Sequence, residues 1–226
     1  MSKENLLNAV RRGLKRGPLP ADQATLLRAR LASHPRHLIP ARSRIPHKAQ
    51  VDLFCANLER EFGTVSRVAT LADIPPAIAD YLAANNLPTD IAIAPNPELR
   101  DIPWADRPML RLREGRAQAT DMVAIQHAFA AIAETGTLML PSAPERPTTL
   151  NLLADTAIVV LRASRLVGAY EEAWDLLRRD LPRMPRNVML VTGPSRSADI
   201  EQALELGAHG PRRLHVVVLE DTTEPN

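Results

Sequence analysis

Ala157-Ile158-Val159-Val160-Leu161 and Leu214-His215-Val216-Val217-Val218-Leu219 are nearly unbroken apolar runs. A strand with one wet face alternates apolar and polar residues, whereas a strand covered on both faces does not. The two runs therefore predict strands of a parallel or mixed sheet lying between helix layers. Working outward, Val65–Ala69, Asp90–Ala94, Met122–Ile125, Thr137–Leu140 and Asn187–Thr192 read as further strands. Between them the pattern turns helical at Lys48–Glu61, where Gly63 stops the chain, and from Pro75-Pro76 to about Asn85. A short helix to Ala133, Tyr170–Arg179 and Ala198–Leu206 complete the set. Together these predict an α/β fold, a three-layer α/β/α sandwich over residues 49–226, preceded by an N-terminal helical arm.

The arm, residues 1–48, is basic. It holds eleven Lys/Arg against Glu4 and Asp22, while the remainder holds seventeen against twenty-four acids. Ser2 to Arg16 predicts an amphipathic helix with Leu6, Val10 and Leu14 at spacing four, stopped by Gly17-Pro18. Asp22 is placed to cap a second helix through Ala32, and the proline-bearing stretch 34–47 reads as a loop. Such an asymmetry marks a segment that docks on something acidic. Seven aromatic residues in all, none interleaved with the early arginines, argue against nucleic acid and favour the chain's own acidic body or a neighbouring subunit.

Composition excludes several chemistries. The single cysteine, Cys55, can form neither an internal disulfide nor a multi-cysteine metal cluster, and its apolar spacing points to a core thiol. His34, His37 and His47 lack acids or cysteines at metal-ligand spacing, so no metal site is expected. No apolar run approaches the roughly 20 residues of a membrane span, and Met1-Ser-Lys-Glu-Asn lacks a secretory layout. A cytoplasmic, membrane-independent protein is expected.

Three polar segments could carry chemistry. In Ile132–Leu140, Gly136 is placed as the stop of a helix, with Glu134, Thr135 and Thr137 at a helix–strand junction where open α/β sheets tend to bind ligands. Either Glu134 serves as base or acyl acceptor there, or these groups satisfy local backbone. In Leu190–Glu201, Gly193-Pro194 turns the chain, Ser195 offers a hydroxyl, Arg196 suits a carboxylate or phosphate, and Asp199 lies in the predicted first helical turn. The dinucleotide and P-loop glycine fingerprints are both missing. In Gly207-Ala-His-Gly-Pro211, His209 sits on a tight turn as a candidate acid, base or ligand.

In series, Ala133-Glu-Thr-Gly-Thr137, Thr192-Gly-Pro-Ser-Arg-Ser-Ala-Asp-Ile-Glu201 and Gly207-Ala-His-Gly-Pro211 resemble the LUD-domain family, the lactate-utilisation C proteins. The resemblance runs from about residue 50 to the carboxyl terminus. It implies a fold similar to the NagB/RpiA/CoA-transferase group, and a role in oxidising L-lactate to pyruvate as an accessory or ligand-binding component. It also implies a small anionic ligand, iron–sulfur partner subunits that carry the clusters, and no cofactor on this chain; a homodimer is compatible. Arg146 in Pro144-Glu-Arg-Pro147 resembles an arginine that follows the Glu-Thr-Gly-Thr strand, a candidate anion contact. Leu153-Ala-Asp-Thr-Ala-Ile158 and Ala124-Ile-Gln-His-Ala-Phe129 depart from the family pattern, which implies an altered pocket. The competing reading is a free-standing CoA-ester or acyl-transfer enzyme with Glu134 as acceptor beside the Gly136 amide.

Overall fold

The computed structural model describes residues 2–15, 17, 19–198 and 204–221. Its contacts divide the chain into two compact units, Met1–Leu38 and Ile39–Asn226. In the first, α1 (Lys3–Gly13) is capped by Ser2, whose hydroxyl accepts from the Asn5 amide. Arg11 and Arg12 lie in its last turn, where the helix dipole favours cations. Helix α2 (Ala21–Ser33) starts directly after Pro20, so Asp22 lies in its first turn rather than at the cap. The units divide ten residues earlier than the basic composition ends, and Ile39–Lys48 belongs with the second unit.

In the second unit the elements run α3 (His47–Arg60), β1 (Thr64–Val68), α4 (Ile74–Ala84), β2 (Asp90–Ile93), α5 (Pro97–Arg100), β3 (Arg111–Glu114), β4 (Val123–His127) and β5 (Ala130–Ile132). There follow β6 (Thr137–Pro141), β7 (Thr156–Arg162), β8 (Leu166–Val167), α6 (Tyr170–Asp180), β9 (Val188–Val191), β10 (Arg196–Ala198), β11 (Leu204–Leu206) and β12 (Arg213–Leu219). Six strands form a wholly parallel sheet in the order β1-β12-β7-β4-β2-β3.

The two apolar runs are its central strands, and their side chains divide by parity. Ile158, Val160, Val217 and Leu219 join the core under α4, with Ile74, Ile78 and Leu82. Ala157, Val159, Leu161, Val216 and Val218 join the core under α3, with Val51, Phe54 and Leu58. Helix, parallel sheet and helix are thus layered as the apolar runs predict.

A second sheet, β8-β5-β6-β9, shares the α3 side and adds a layer. Its opposite face meets α6, where Ile132 and Met139 pack with Ala173 and Leu177. This corrects one expectation. The stretch before Ala133 is strand β5, not a short helix, and Gly136 turns a β-hairpin rather than ending a helix. Alanine-rich Ala130-Ala-Ile132 has helical propensity, but pairing with β6 and β8 and burial between two layers decide otherwise. The small side chains let the layers close.

A second correction concerns Ala198–Leu206. Arg196–Ala198 and Leu204–Leu206 pair as an antiparallel ribbon, so the ends of the expected helix are strands. The Arg196↔Leu206 rung and the Gly207 N–H to Ser195 carbonyl bond supply the backbone partners that a helix would have supplied. Asp199 lies outside the described residues.

Candidate functional site

The Glu134–Thr137 turn is clamped onto α3. The buried Asn57 side chain donates to the Ala133 carbonyl at 2.7 Å. Gly136 has φ +68°, and a Cβ there would lie 2.5 Å from the Leu58 nitrogen. Glycine is required on both counts: L-residues rarely adopt this conformation, and backbone fills the space. The Glu134 N–H donates to the Gly168 carbonyl, and its carboxylate is 6% exposed, 3.6 Å from the Arg42 guanidinium. Among the described residues its Oε2 finds no hydrogen-bond donor. The carboxylate is therefore sealed beneath Arg42 rather than open to an acyl group.

Behind the turn lies a knot of hydroxyls. Thr137 Oγ1 is 2.7 Å from Thr135 Oγ1, 3.0 Å from the Tyr170 hydroxyl and 2.6 Å from Thr192 Oγ1. Thr135 and Tyr170 are 3.2 Å apart. Antiparallel pairing of β6 with β9 sets Thr137 across from Thr192, which is how the first two polar segments meet. Thr137 is fully buried and Thr192 is exposed, so the knot runs from core to surface. Each hydroxyl holds one rotatable donor and two acceptor pairs, so the set can turn donors toward an anion without moving backbone.

Gly193 follows at φ +78°, its Cβ position filled by the Glu61 carbonyl at the end of α3. Ser195 then joins the second segment to the third. Its N–H donates to the Pro211 carbonyl at 2.8 Å, and its hydroxyl accepts from the His209 N–H at 3.2 Å. The three segments thus touch in series. Their charged tips do not gather: Glu134 lies under Arg42, Arg196 stacks 3.5 Å over the Phe62 ring, and the His209 ring is exposed. A narrow pocket between Gly193-Pro194 and Pro211 reaches the buried Gln126 and Asn151. The His209 turn leads into the first residue of β12, so it lies at the amino end of that strand.

The opposite edge of the parallel sheet carries a second cluster. His127 closes β4, Arg162 closes β7, Asp221 follows β12, and Glu98 stands on α5 after β2. Glu98 Oε2 lies 3.2 Å from His127 Nε2 and also accepts from Arg162 Nε. Arg162 reaches Asp221 at 3.4 Å, and Ser164 donates to Asp221 through both N–H and hydroxyl. The imidazole of His127, then the guanidinium of Arg162, hold the Glu98 carboxyl down to about 2.

Arg146 lies beyond the end of β6 away from Thr137, across a strand about 13 Å long. Its guanidinium is 3.2 Å from Glu145 and 5.8 Å from the centroid of Phe129, a ring that Arg165 also covers at 4.6 Å. Burial pushes its pKa down, and among the described residues its Nε has no hydrogen-bond partner. Arg146 therefore serves a different surface from Glu134. Among the described residues no three His, Cys, Asp or Glu side chains gather as a metal site, and no helix is long and apolar enough to cross a membrane.

A family model described as "LUD domain" matches residues 51–219. The chain belongs to the LUD domain family. It is similar to an uncharacterized protein, NMB1437, of Neisseria meningitidis (41% identical over 95 residues, 42% of this chain and 41% of that one). It is also similar to lactate utilization protein C of Bacillus subtilis (33% over 93 residues, 40% and 39% of the two chains). These matches span about two fifths of each relative's length. A crystal structure of a DUF162 family protein from Deinococcus radiodurans superposes with a TM-score of 0.60 at 21% identity, over 78% of this chain and 99% of that one. That likeness speaks for the fold.

In the second unit, sequence reasoning passed over Asn57, Tyr170, Glu98, His127, Arg162 and Asp221. A signal existed for three of these. In a parallel sheet the residue that ends an apolar strand faces the ligand-binding edge, and His127, Arg162 and Asp221 all end or follow such runs. Asn57 and Tyr170 gave none, since both read as ordinary helical residues.

Proposed function

We propose that this LUD domain protein is a component of an L-lactate utilisation system. It acts in the cytoplasm beside iron–sulfur proteins that carry the clusters and oxidise lactate to pyruvate, and it serves as an accessory or ligand-binding subunit with no cofactor of its own. The observation that carries this reading is the similarity to relatives named lactate utilization protein C, at 33% in Bacillus subtilis and 34% in Bacillus licheniformis. The ligand is a small carboxylate held at the mouth of the hydroxyl knot. Thr135, Thr192 and Tyr170 would turn O–H donors toward it, with the Arg42 guanidinium supplying charge. Glu134, already paired with Arg42, would orient that guanidinium rather than attack an acyl group.

Deletion of the gene should abolish growth on L-lactate, with growth restored by the intact copy, and a tagged chain should retain iron–sulfur proteins from lactate-grown cells. Undiminished growth on lactate would remove the reading. An acyl adduct on the Glu134 peptide after incubation with CoA esters, read by mass spectrometry, would replace it with the acyl-transfer alternative.

A further inference from the structure

We infer that the groove between the Ser142–Thr149 and Leu181–Arg186 segments binds a small molecule that carries a pyrophosphate group, gripped through that group. The groove is lined by Arg116, Arg146, Arg183 and Arg186, with Glu145 as its one acid. Several arginines elsewhere in the unit are answered by carboxylates: Arg67 by Asp52 and Glu220, Arg100 by Glu114, Arg111 by Asp90. Among the described residues Arg116, Arg183 and Arg186 hold no ion pair, and all three line this groove. Like charges so placed repel one another, and an anion set among them relieves the repulsion.

Arg146 forms the floor. A tight turn fixes it, the Arg146 N–H donating to the Ala143 carbonyl at 3.0 Å and the Ala143 N–H to the Arg146 carbonyl at 3.3 Å. Its guanidinium is held by Glu145 at 3.2 Å beside the Phe129 ring, and among the described residues its Nε has no hydrogen-bond partner. Glu145 offsets a single charge, which leaves a surplus matching two or more negative charges rather than one carboxylate. Planar guanidinium forks engage phosphate oxygens bidentately. Pro144, Pro147, Pro182 and Pro185 in the walls fix the backbone shape. The groove is short and walled on both sides, which favours a small molecule over an extended nucleic acid. The inference is independent of the lactate reading, because its residues lie beyond the far end of β6 from the hydroxyl knot.

Calorimetric titration of the full chain with inorganic pyrophosphate and with ADP tests it. Both should bind, and both should weaken as salt is raised. Arg146→Gln, and separately the double change Arg183→Gln with Arg186→Gln, should each weaken binding about tenfold or more. The exposed Arg183 and Arg186 keep the test available if the Arg146 variant misfolds, as circular dichroism would reveal. Absence of heat with either probe, affinity no better than that of acetate, or indifference to the Arg183/Arg186 pair would overturn the inference. So would displacement of pyrophosphate by a random RNA oligonucleotide that binds more tightly.

Discussion

Glu98 and His127 meet at the carboxyl edge of the parallel sheet, with Glu98 Oε2 3.2 Å from His127 Nε2 and the same oxygen taken by Arg162. Together with Asp221 they tie the ends of β4, β7 and β12 to α5. The Glu98 carboxyl is held at about 2, below its ordinary 4.5. A depressed carboxyl pKa gives stability that is complete above about 4.5 and is lost as pH falls toward 2. Because Glu98 is 44% exposed, solvent screening reduces the contribution to about 1 kcal/mol. Glu98→Gln should therefore lower the thermal midpoint at pH 7 and shrink the fall in stability between pH 4.5 and 2, read by circular dichroism melts.

A separate pH window belongs to His215. Its ring is buried, stacked on Tyr81 with centroids 3.9 Å apart, and its Nδ1 is 2.9 Å from Thr64 Oγ1. Burial pushes its pKa down from 6.5 to about 4. The unfolded chain takes up the proton near 6.5 while the folded chain resists until about 4, so stability falls as pH drops through that interval. The loss approaches about 3 kcal/mol at the lower end. His215→Phe, which keeps the stacking and removes the proton site, should flatten the profile between pH 6.5 and 4. A slope unchanged by the substitution would assign the effect elsewhere.

The apolar runs Ala157–Leu161 and Leu214–Leu219 made the central sheet readable, because residues buried on both faces leave an unbroken hydrophobic trace. Where burial is shared between layers the trace misleads. Ala130–Ile132 has helix-forming alanines, yet its partner β8 and the covers α3 and α6 come from distant sequence. Local pattern cannot weigh them. The same holds for the polar segments. Gly193 was legible as a turn and Gly136 only as the stop of a helix, while the order of the polar segments was legible as a family trait. That Thr137 would face Thr192 depends on the register of β6 against β9, and the position of Glu134 under Arg42 depends on the segment before α3. Neither is written in spacing.

The Gly136 turn gives a direct test of the clamp on α3. At φ +68°, with backbone of Asn57 and Leu58 where a Cβ would go, Gly136→Ala meets both conformational strain and steric overlap. The cost should be about 2–4 kcal/mol. Asn57→Ala removes the shorter of two hydrogen bonds to the buried Ala133 carbonyl, leaving the one from the Gly136 N–H at 3.4 Å, and should cost about 0.5–1.5 kcal/mol. Urea denaturation of the two variants checks both values. Near-wild-type midpoints would mean that the turn is not held this way.

Cys55 should be a poor nucleophile. Burial pushes its thiol up to about 11, with Arg67 only partly opposing the shift. At pH 8 the thiolate is scarce. Reaction with a chromogenic disulfide reagent should be slow for the folded protein and should accelerate sharply in denaturant. Rapid labelling of the native chain at pH 8 would contradict the burial-raised pKa.

The hydroxyl knot separates stability from ligand binding, because its members differ in depth. Thr137→Val keeps the shape but removes the one hydroxyl that contacts all three others, so Thr135, Tyr170 and Thr192 each lose a partner. Buried as it is, this change should cost about 1–3 kcal/mol in a thermal melt. Thr192→Val acts at the exposed rim, where water replaces the lost hydrogen bond, and should leave the melt nearly unchanged. If the knot receives a small carboxylate, Thr192→Val should weaken pyruvate or L-lactate binding about tenfold or more, the worth of one hydrogen bond to a charged group. Equal binding by the Thr192 variant and the unaltered protein, at unchanged stability, would confine the knot to a structural role.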